Sequence, residues 1–214
     1  MAKRKRIQDK EVLAKGSGES QPETETKSRR SKRVKENGNV ANEGPKESQS
    51  SKNYWLMKAE PDSRIVDGHD VKFSIDDLKS MKVSCWDGVR NYAARNNMKA
   101  MQVGDLAFFY HSNCKQPGIV GVMRVCKNAY ADHTAFDKDH PYFDPKSDDS
   151  NPKWYMVDVE YVRHLPRMIS LEELKKHKEG SLSELSLLKI GRLSVSKVQE
   201  KEWQFINELA ETEL

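Results

Sequence analysis

The aromatic residues of this chain are confined to one part of it. Residues 1–52 contain no Phe, Tyr or Trp, whereas all 17 aromatic side chains lie in residues 53–214. The first segment carries 14 Lys or Arg against 8 Asp or Glu, a net charge of +6, and the remainder carries 23 against 25, a net charge of −2. A segment so poor in apolar side chains cannot bury enough surface to offset the entropy lost on ordering. We therefore expect a disordered basic tail over 1–52 and one folded domain over 53–214.

Two compact basic clusters lie within the predicted tail. Their members are Lys3, Arg4, Lys5 and Arg6, followed by Arg29, Arg30, Lys32 and Arg33. One such cluster is often only a solvated charge run, but two in one short tail favour nuclear import, with an import receptor as the partner. Ser28 and Ser31 lie beside the second cluster, where phosphorylation would weaken it. No apolar run approaches the ~18 residues of a membrane span, so we expect a nuclear protein without a membrane partner.

Signatures of common enzyme classes are absent from the sequence. There is no phosphate-binding loop, no H-E-x-x-H, no G-x-S-x-G and no dinucleotide fingerprint. The six histidines lack metal-ligand spacing, and the three cysteines form no C-x-x-C pair. An odd number of cysteines without a secretion signal indicates reduced intracellular thiols. His111 and Cys114 are close enough in sequence to suggest a base and a nucleophile, but we favour a structural role for both. We expect no metal and no cofactor.

Residues 86–96 are the segment most informative for function. They place Trp86, Asp87, Gly88 and Arg90 at the start of a predicted helix, with Asp87 as its N-cap. Arg90 then falls in the first turn, where a cation opposes the helix dipole. Such a position indicates a partner for Arg90, either Asp87 or a ligand. The alternative is that Trp86 is a core residue and Arg90 simply pairs with Asp87.

The rest of the domain alternates between predicted strands and helices. Strands are predicted over 54–59, 106–110, 119–125, 154–165 and 193–195, the fourth with Tyr155, Val157 and Val159 on one face and Met156 on the other. Helices are predicted to begin at N-caps Ser74, Ser170 and Ser196, and Trp203 is assigned to packing within the last.

The long span 127–153 contains few apolar residues. Its aromatics, Tyr142 and Phe143, either fold over a pocket as a lid or pack on the domain as part of an ordered excursion. Both alternatives stay open from the sequence.

Several of these segments together resemble the EVE domain family. The resemblance is carried, in order, by YWLMKAEP at 54–61, WDGVRNYAARN at 86–96, FFYHS at 108–112, GIVG at 118–121, YFDP at 142–145 and WYMVDV at 154–159. It covers almost all of residues 53–214. EVE domains belong to the PUA-like group and are related to YTH domains. The resemblance implies an α+β fold, a PUA-like mixed β-barrel flanked by short helices, that recognises nucleobases.

Base recognition requires flat faces for stacking and a few polar groups for the base edge. The candidate stacking and polar residues are Trp55, Trp86, Tyr92, Tyr110, Tyr142 and Trp154, with Lys58, Glu60, Arg90, Asn91, Arg95, His111, Ser112 and Asn113. Most of them lie at the ends of predicted elements, where a barrel opens. The domain's negative net charge argues against tight nonspecific duplex binding, which depends on neutralising phosphates.

The sequence therefore predicts a monomeric, nuclear, non-catalytic module that binds DNA or RNA carrying a modified base. One alternative is a nucleic-acid-processing enzyme of the PUA-like group, with Glu60, Asp87, His111 and Asp144 as acid–base candidates. Another is a protein-interaction adaptor whose tail only sets its location.

Overall fold

One mixed sheet of six strands organises the protein, with helices on both of its faces. The computed structural model describes residues 52–212. Strand order in the sheet is β4-β7-β6-β5-β1-β8. The strands are β1 (Tyr54–Ala59), β4 (Val83–Trp86), β5 (Leu106–His111), β6 (Gly118–Ala131), β7 (Tyr155–Ser170) and β8 (Val195–Val198), and a separate two-stranded hairpin pairs β2 (Ile65–Val66) with β3 (His69–Asp70). The helices are α1 (Ile75–Met81), α2 (Tyr92–Ala100), α3 (Leu171–Lys176), α4 (Ser186–Lys189) and α5 (Glu200–Glu211).

Each face of the sheet carries its own hydrophobic core. In β1, Trp55 and Met57 belong to the core that includes the apolar side chains of α1 and α2. Leu56 points to the other core, which is shared with α3, α4 and α5. Phe109 and Phe108 divide between the two cores in the same way along β5. The central strands are therefore apolar at consecutive positions because both of their faces are covered.

The sheet is open and does not close into the predicted PUA-like mixed β-barrel. Strands β4 and β8 are its two edges, and they do not pair with each other. Helix α2 packs against β8, β7 and β6. The side-chain Nδ2 of Asn97 donates to the backbone carbonyl of Val195 at 2.8 Å. A helix thus covers the edge of β8 that a closing strand would occupy. The broader prediction of a mixed α and β domain is confirmed.

Local signals located some helix starts and misplaced others. Ser74 caps α1 in a capping box with Asp77, as predicted. Helix α2 begins later than predicted: its N-cap is Asn91 rather than Asp87, so Arg90 lies outside the helix. The N-cap of α5 is Gln199, since the predicted cap at position 196 lies within β8.

The two longest strands extend beyond their predicted ends and do not alternate regularly. Met156, Val157 and Val159 all belong to one core, although strict alternation would separate Met156 from the other two. The pairing of β6 with β7 shifts register at several points, two of them between Val125 and Tyr130. Such irregularities change which face consecutive side chains occupy. Trp203, predicted to be a packing residue, stacks on Phe108 with ring centroids 4.0 Å apart.

The basic clusters of the tail, and residues 213–214, lie outside the described residues. No helix within residues 52–212 is long and apolar enough to cross a membrane.

Candidate functional site

A cavity opens at one end of the six-stranded sheet, where several strands begin or finish. Strands β1 and β5 are parallel, so both end there, at Ala59 and His111. Strand β8 runs antiparallel to β1 and therefore begins at the end of the sheet where β1 finishes. The end of β4 and the segment that follows it, residues 86–91, form another wall. The cavity has a volume of about 350 Å³, which lies at the lower end of the range for small-molecule sites, ~300–1,000 Å³.

Part of the cavity wall is apolar and rigid. Phe73 and Trp86 line it while remaining 3% and 5% exposed. Their rings meet edge to face with centroids 5.8 Å apart, and Trp86 makes a similar contact with Phe109 at 5.4 Å. Val71 and Val89 complete this apolar wall. Because these side chains are anchored in the core, they offer a planar molecule a preformed surface.

Tyr142 enters the cavity wall because residue 88 is a glycine. Gly88 has a φ of +74°, and a Cβ placed there would lie 2.5 Å from Cδ2 of Tyr142. Any larger residue would therefore combine a strained backbone with a clash against the ring. Residues 127–131 of the long 127–153 span belong to β6. The rest of the span forms an ordered excursion that packs Tyr142 against the cavity.

Arg90 ties that excursion to the site. Its Nη1 donates to Oδ2 of Asp132 at 2.7 Å, its Nη2 donates to Oγ1 of Thr134 at 3.1 Å, and its Nε donates to the carbonyl of Tyr142 at 2.7 Å. The side chain of Asp132 is fully buried and also accepts from the backbone nitrogen of Gly88 at 3.0 Å. Burial alone would raise the pKa of Asp132, but the hydrogen bonds from Thr134 and Arg90 and the charge of Arg90 hold it below its usual range. The partner that Arg90 was expected to need is thus Asp132, not Asp87.

Polar groups of different kinds complete the lining. Lys58 donates through Nζ to the carbonyl of Gly191 at 2.9 Å, and burial lowers its pKa. Glu60 is paired with Arg64 and also accepts from Asn113 at 3.3 Å. The hydroxyl of Ser112, which also faces this cavity, donates to the carbonyl of Ala59 at 3.1 Å.

Asn91 and Arg192 retain unused donors at the cavity mouth. Oδ1 of Asn91 accepts from the backbone nitrogen of Ala94 at 3.0 Å as the N-cap of α2. Within residues 52–212 its Nδ2 has no hydrogen-bond partner, and Arg192 is exposed and forms no ion pair. Both groups can donate to a bound polar molecule.

The cavity brings together half of the fourteen predicted base-binding residues. Those that line it are Lys58, Glu60, Trp86, Arg90, Asn91, Ser112 and Tyr142. Those that do not line it are Trp55, Tyr92, Arg95, Tyr110, His111, Asn113 and Trp154.

The residues outside the cavity have other contacts. Trp55 is buried and donates through Nε1 to Asp105 at 2.9 Å. Tyr110 is buried in the core on the opposite face of the sheet. Trp154 is buried and donates through Nε1 to Asp144 at 2.6 Å, while Tyr92 stacks on it from outside. Proximity to an element end therefore did not ensure that a side chain faces the opening.

His111 and Cys114 do not form a nucleophile–base pair. Nε2 of His111 accepts from the backbone nitrogen of Ile75 at 3.2 Å, and burial lowers the pKa of this imidazole. Burial also raises the pKa of the Cys114 thiol, which disfavours the reactive thiolate. Within the part of the chain that the structure describes, no three His, Cys, Asp or Glu side chains converge to hold a metal ion.

Sequence reasoning missed part of the lining. Phe73, Val71, Arg192 and Ser194 contribute to the cavity, although none of them was a predicted base-binding residue. Arg192 and Ser194 precede β8, which reaches the site only because it pairs antiparallel with β1. No local signal in the sequence predicts that pairing, although the predicted strand at 193–195 placed an element end there.

Comparison with known proteins identifies the family. The EVE domain profile matches residues 53–209. Mouse thymocyte nuclear protein 1 is 54% identical over 169 residues, which cover 75% of each chain. Zebrafish thymocyte nuclear protein 1 is 50% identical over 189 residues, which cover 84% of this chain and 81% of the relative. The crystal structure of human THYN1 protein in complex with DNA containing 5-methylcytosine is similar with a TM-score of 0.75 and 50% identity, covering 76% of this chain and all of that one. The chain belongs to the EVE domain family.

Proposed function

We propose that this protein is a nuclear, non-catalytic reader that binds a modified nucleobase of DNA or RNA in the cavity at the end of the sheet. The observation that carries the proposal is the composition of the cavity. A rigid apolar wall built on Phe73 and Trp86 lines it together with Tyr142, and unused donors of Asn91 and Arg192 lie at the mouth. A nucleobase presents the complementary chemistry, with flat apolar faces and a polar edge.

The similarity to human THYN1 supports this ligand class. That protein was crystallised with DNA containing 5-methylcytosine, and half of its residues are identical to those of this chain over its whole length. A methylated cytosine is therefore the first ligand to test, alongside modified adenines.

The charges at the site favour recognition of a base over simple attraction to phosphate. Arg90 is neutralised by Asp132, Glu60 is paired with Arg64, and burial disfavours the charged form of Lys58. Affinity that depends on phosphate neutralisation requires free cations. A few such cations lie on the domain, among them Arg192 at the cavity mouth, which forms no ion pair within residues 52–212. We propose that the basic tail of residues 1–52 supplies most of the others and also the nuclear import signal.

The surroundings of the acid–base candidates favour binding without catalysis. Glu60 is held in its ion pair, His111 uses its acceptor nitrogen within the fold, and Asp144 accepts from Trp154, which lowers its pKa. Of the four candidates, His111 and Asp144 lie outside the cavity lining. General acid–base catalysis requires a group within hydrogen-bond reach of the reacting atom.

The test is binding of the full-length protein to matched oligonucleotides that differ in one base modification. The wild type is expected to prefer one modified form, and Lys58→Gln and Tyr142→Ala are expected to reduce that preference. Lys79→Gln is the matched control, since Lys79 is exposed on α1, away from the cavity. Equal binding to every modified and unmodified oligonucleotide would contradict the proposal.

Two further measurements address turnover and location. Mass spectrometry of the bound oligonucleotide is expected to show intact strand and base, whereas cleavage or base release would favour the enzyme alternative. Replacing both basic clusters of the tail by glutamine in the full chain is expected to remove nuclear accumulation. Unchanged accumulation would contradict the assigned import signal.

A further inference from the structure

Beside the cavity lies an exposed aromatic surface that the proposed reading of one base leaves unused. We call it the Tyr92 surface, and it consists of Tyr92, Arg95 and Lys99 on α2. Tyr92 is 57% exposed although it is a large aromatic residue in the first turn of a helix. One face of its ring stacks on the buried Trp154, with centroids 4.9 Å apart and planes inclined by 23°. The ring is therefore held in a fixed orientation while much of it contacts solvent.

The charge of α2 complements a nucleic-acid strand. The helix contains Arg95 and Lys99 and no acidic residue. Arg95 makes a cation–π contact with Tyr92, with Cζ 4.8 Å from its ring centroid and 6.0 Å from that of Trp154, so it contacts both stacked rings and does not cap the outer face of Tyr92. Its hydrogen bonds go to the neutral side chain of Asn96 and the carbonyl of Lys153. Nζ of Lys99 lies 4.3 Å from the ring centroid of Tyr155. Among residues 52–212 neither cation has a carboxylate within ion-pair distance, unlike Arg90 or Arg167, so both charges remain available to phosphate.

The Tyr92 surface is continuous with the cavity. Asn91, which lines the cavity mouth, directly precedes Tyr92 in the chain. Arg90 also lines the cavity, and its Cζ lies 5.7 Å from the ring centroid of Trp154, the residue on which Tyr92 stacks. A strand that places one base in the cavity must continue past its mouth, where this surface presents an aromatic face beside two cations.

We propose that the Tyr92 surface binds the nucleotide adjacent to the recognised base, with its base stacked on Tyr92 and its flanking phosphates close to Arg95 and Lys99. Single-stranded nucleic acids are held in this way, since aromatic rings stack any base and cations follow the backbone. The inference rests on the proposed function, which supplies the position of the strand. It adds a contact that raises affinity without contributing to the choice of modification.

The test compares Tyr92→Leu with Tyr92→Phe in the full-length protein. Leucine keeps an apolar cover over Trp154 but removes the aromatic face, whereas phenylalanine keeps it. The oligonucleotides carry the preferred modified base or its unmodified form, with 2-aminopurine at the neighbouring position on either side. Tyr92→Leu is expected to weaken binding to both by about 5- to 150-fold, the range that corresponds to one base–aromatic stack. The quenching of 2-aminopurine on one side should be lost with it, and Tyr92→Phe should behave as the wild type.

Lys99→Gln tests the charge component. It is expected to reduce the slope of log K against log salt by about 0.7–0.9, the value for one phosphate contact, while Lys79→Gln leaves the slope unchanged. Equal affinity and equal quenching for Tyr92→Leu and Tyr92→Phe would overturn the inference, as would a change in the preference between modified and unmodified base. A wild-type protein that binds the strand without any preference would instead overturn the proposed function, and the Tyr92 comparison would still be decisive for this surface.

Discussion

Removing the side chain of Arg90 should destabilise the domain strongly. In Arg90→Ala the buried carboxylate of Asp132 loses its only ion-pair partner among the described residues, and Thr134 and the Tyr142 carbonyl each lose a donor. Breaking a buried ion pair by removing one member costs about 3–5 kcal/mol in the free energy of unfolding. For a domain of this size the melting temperature should fall by about 6–20 °C. The loss is a large share of a typical stability of about 5–15 kcal/mol.

A double-mutant cycle separates the ion pair from the general effect of truncation. Urea unfolding of the wild type, Arg90→Ala, Asp132→Asn and the double variant is expected to show that the two single losses exceed the double loss by more than about 1 kcal/mol, because both remove one shared interaction. Arg90→Lys is the matched control for charge, and it should recover only part of the stability because lysine cannot reproduce the planar set of hydrogen bonds. Additive losses, or a loss below about 1 kcal/mol for Arg90→Ala, would refute this reasoning.

The same pair should be visible in the pH dependence of stability. The pKa of Asp132 is lowered in the folded protein from its ordinary value of 3.8. The stability that this carboxylate contributes is therefore present above the unfolded pKa and is lost as the pH falls through the folded pKa. Without Arg90, burial raises the pKa of Asp132, so the variant's carboxyl group is protonated at a higher pH than that of the wild type. The difference in the free energy of unfolding between wild type and Arg90→Ala should therefore be largest near neutral pH, begin to shrink as the variant's carboxyl group is protonated, and be lost below the lowered folded pKa of the wild type.

Three other substitutions test separate parts of the structure. Gly88→Ala should lower the melting temperature and weaken base binding because its Cβ would meet the Tyr142 ring, whereas Gly104→Ala, at a similarly positive φ of +96° with open space around it, should carry only the backbone cost; equal losses for both would remove the clash from the explanation. Asn91→Ala should cost about 0.5–2 kcal/mol of stability as a lost N-cap, while Asn91→Asp keeps the cap acceptor and should reduce base binding alone; calorimetry and the oligonucleotide assay distinguish the two. Burial raises the pKa of Glu202, so the wild type loses stability as the pH rises through the folded pKa and this carboxyl group ionises. Glu202→Gln should therefore be at least as stable as the wild type at pH 7, and it should have no such advantage in acid, where Glu202 is protonated. A large loss of stability at pH 7 would contradict this.

Local sequence signals predicted what depends on neighbouring residues. The strand at 54–59 and the capping box at Ser74 were confirmed because a run of apolar residues and a cap are completed within a few positions of the chain. The absence of aromatic residues from 1–52 likewise separated a candidate domain from a tail without any tertiary information. The family resemblance was confirmed because it rested on several ordered segments rather than on one motif.

Tertiary structure decided how those elements meet. The helix after Trp86 begins at Tyr92 with Asn91 as its N-cap, and Arg90 lies outside it. Arg90 pairs with Asp132, 42 positions away, a partner that no local pattern specifies. The sheet remains open, with α2 covering the outer edge of β8.

Only part of the cavity lining could be predicted, for the same reason. Trp86 and Tyr142 line the cavity as expected, but Trp55 and Tyr110, with equally suitable side chains, face the two cores. Which face of a strand a ring occupies follows from register, and a shift of one residue exchanges the faces. Register and strand order depend on contacts between distant segments, so residue type alone indicated candidate side chains and only the folded chain determined which of them line the cavity.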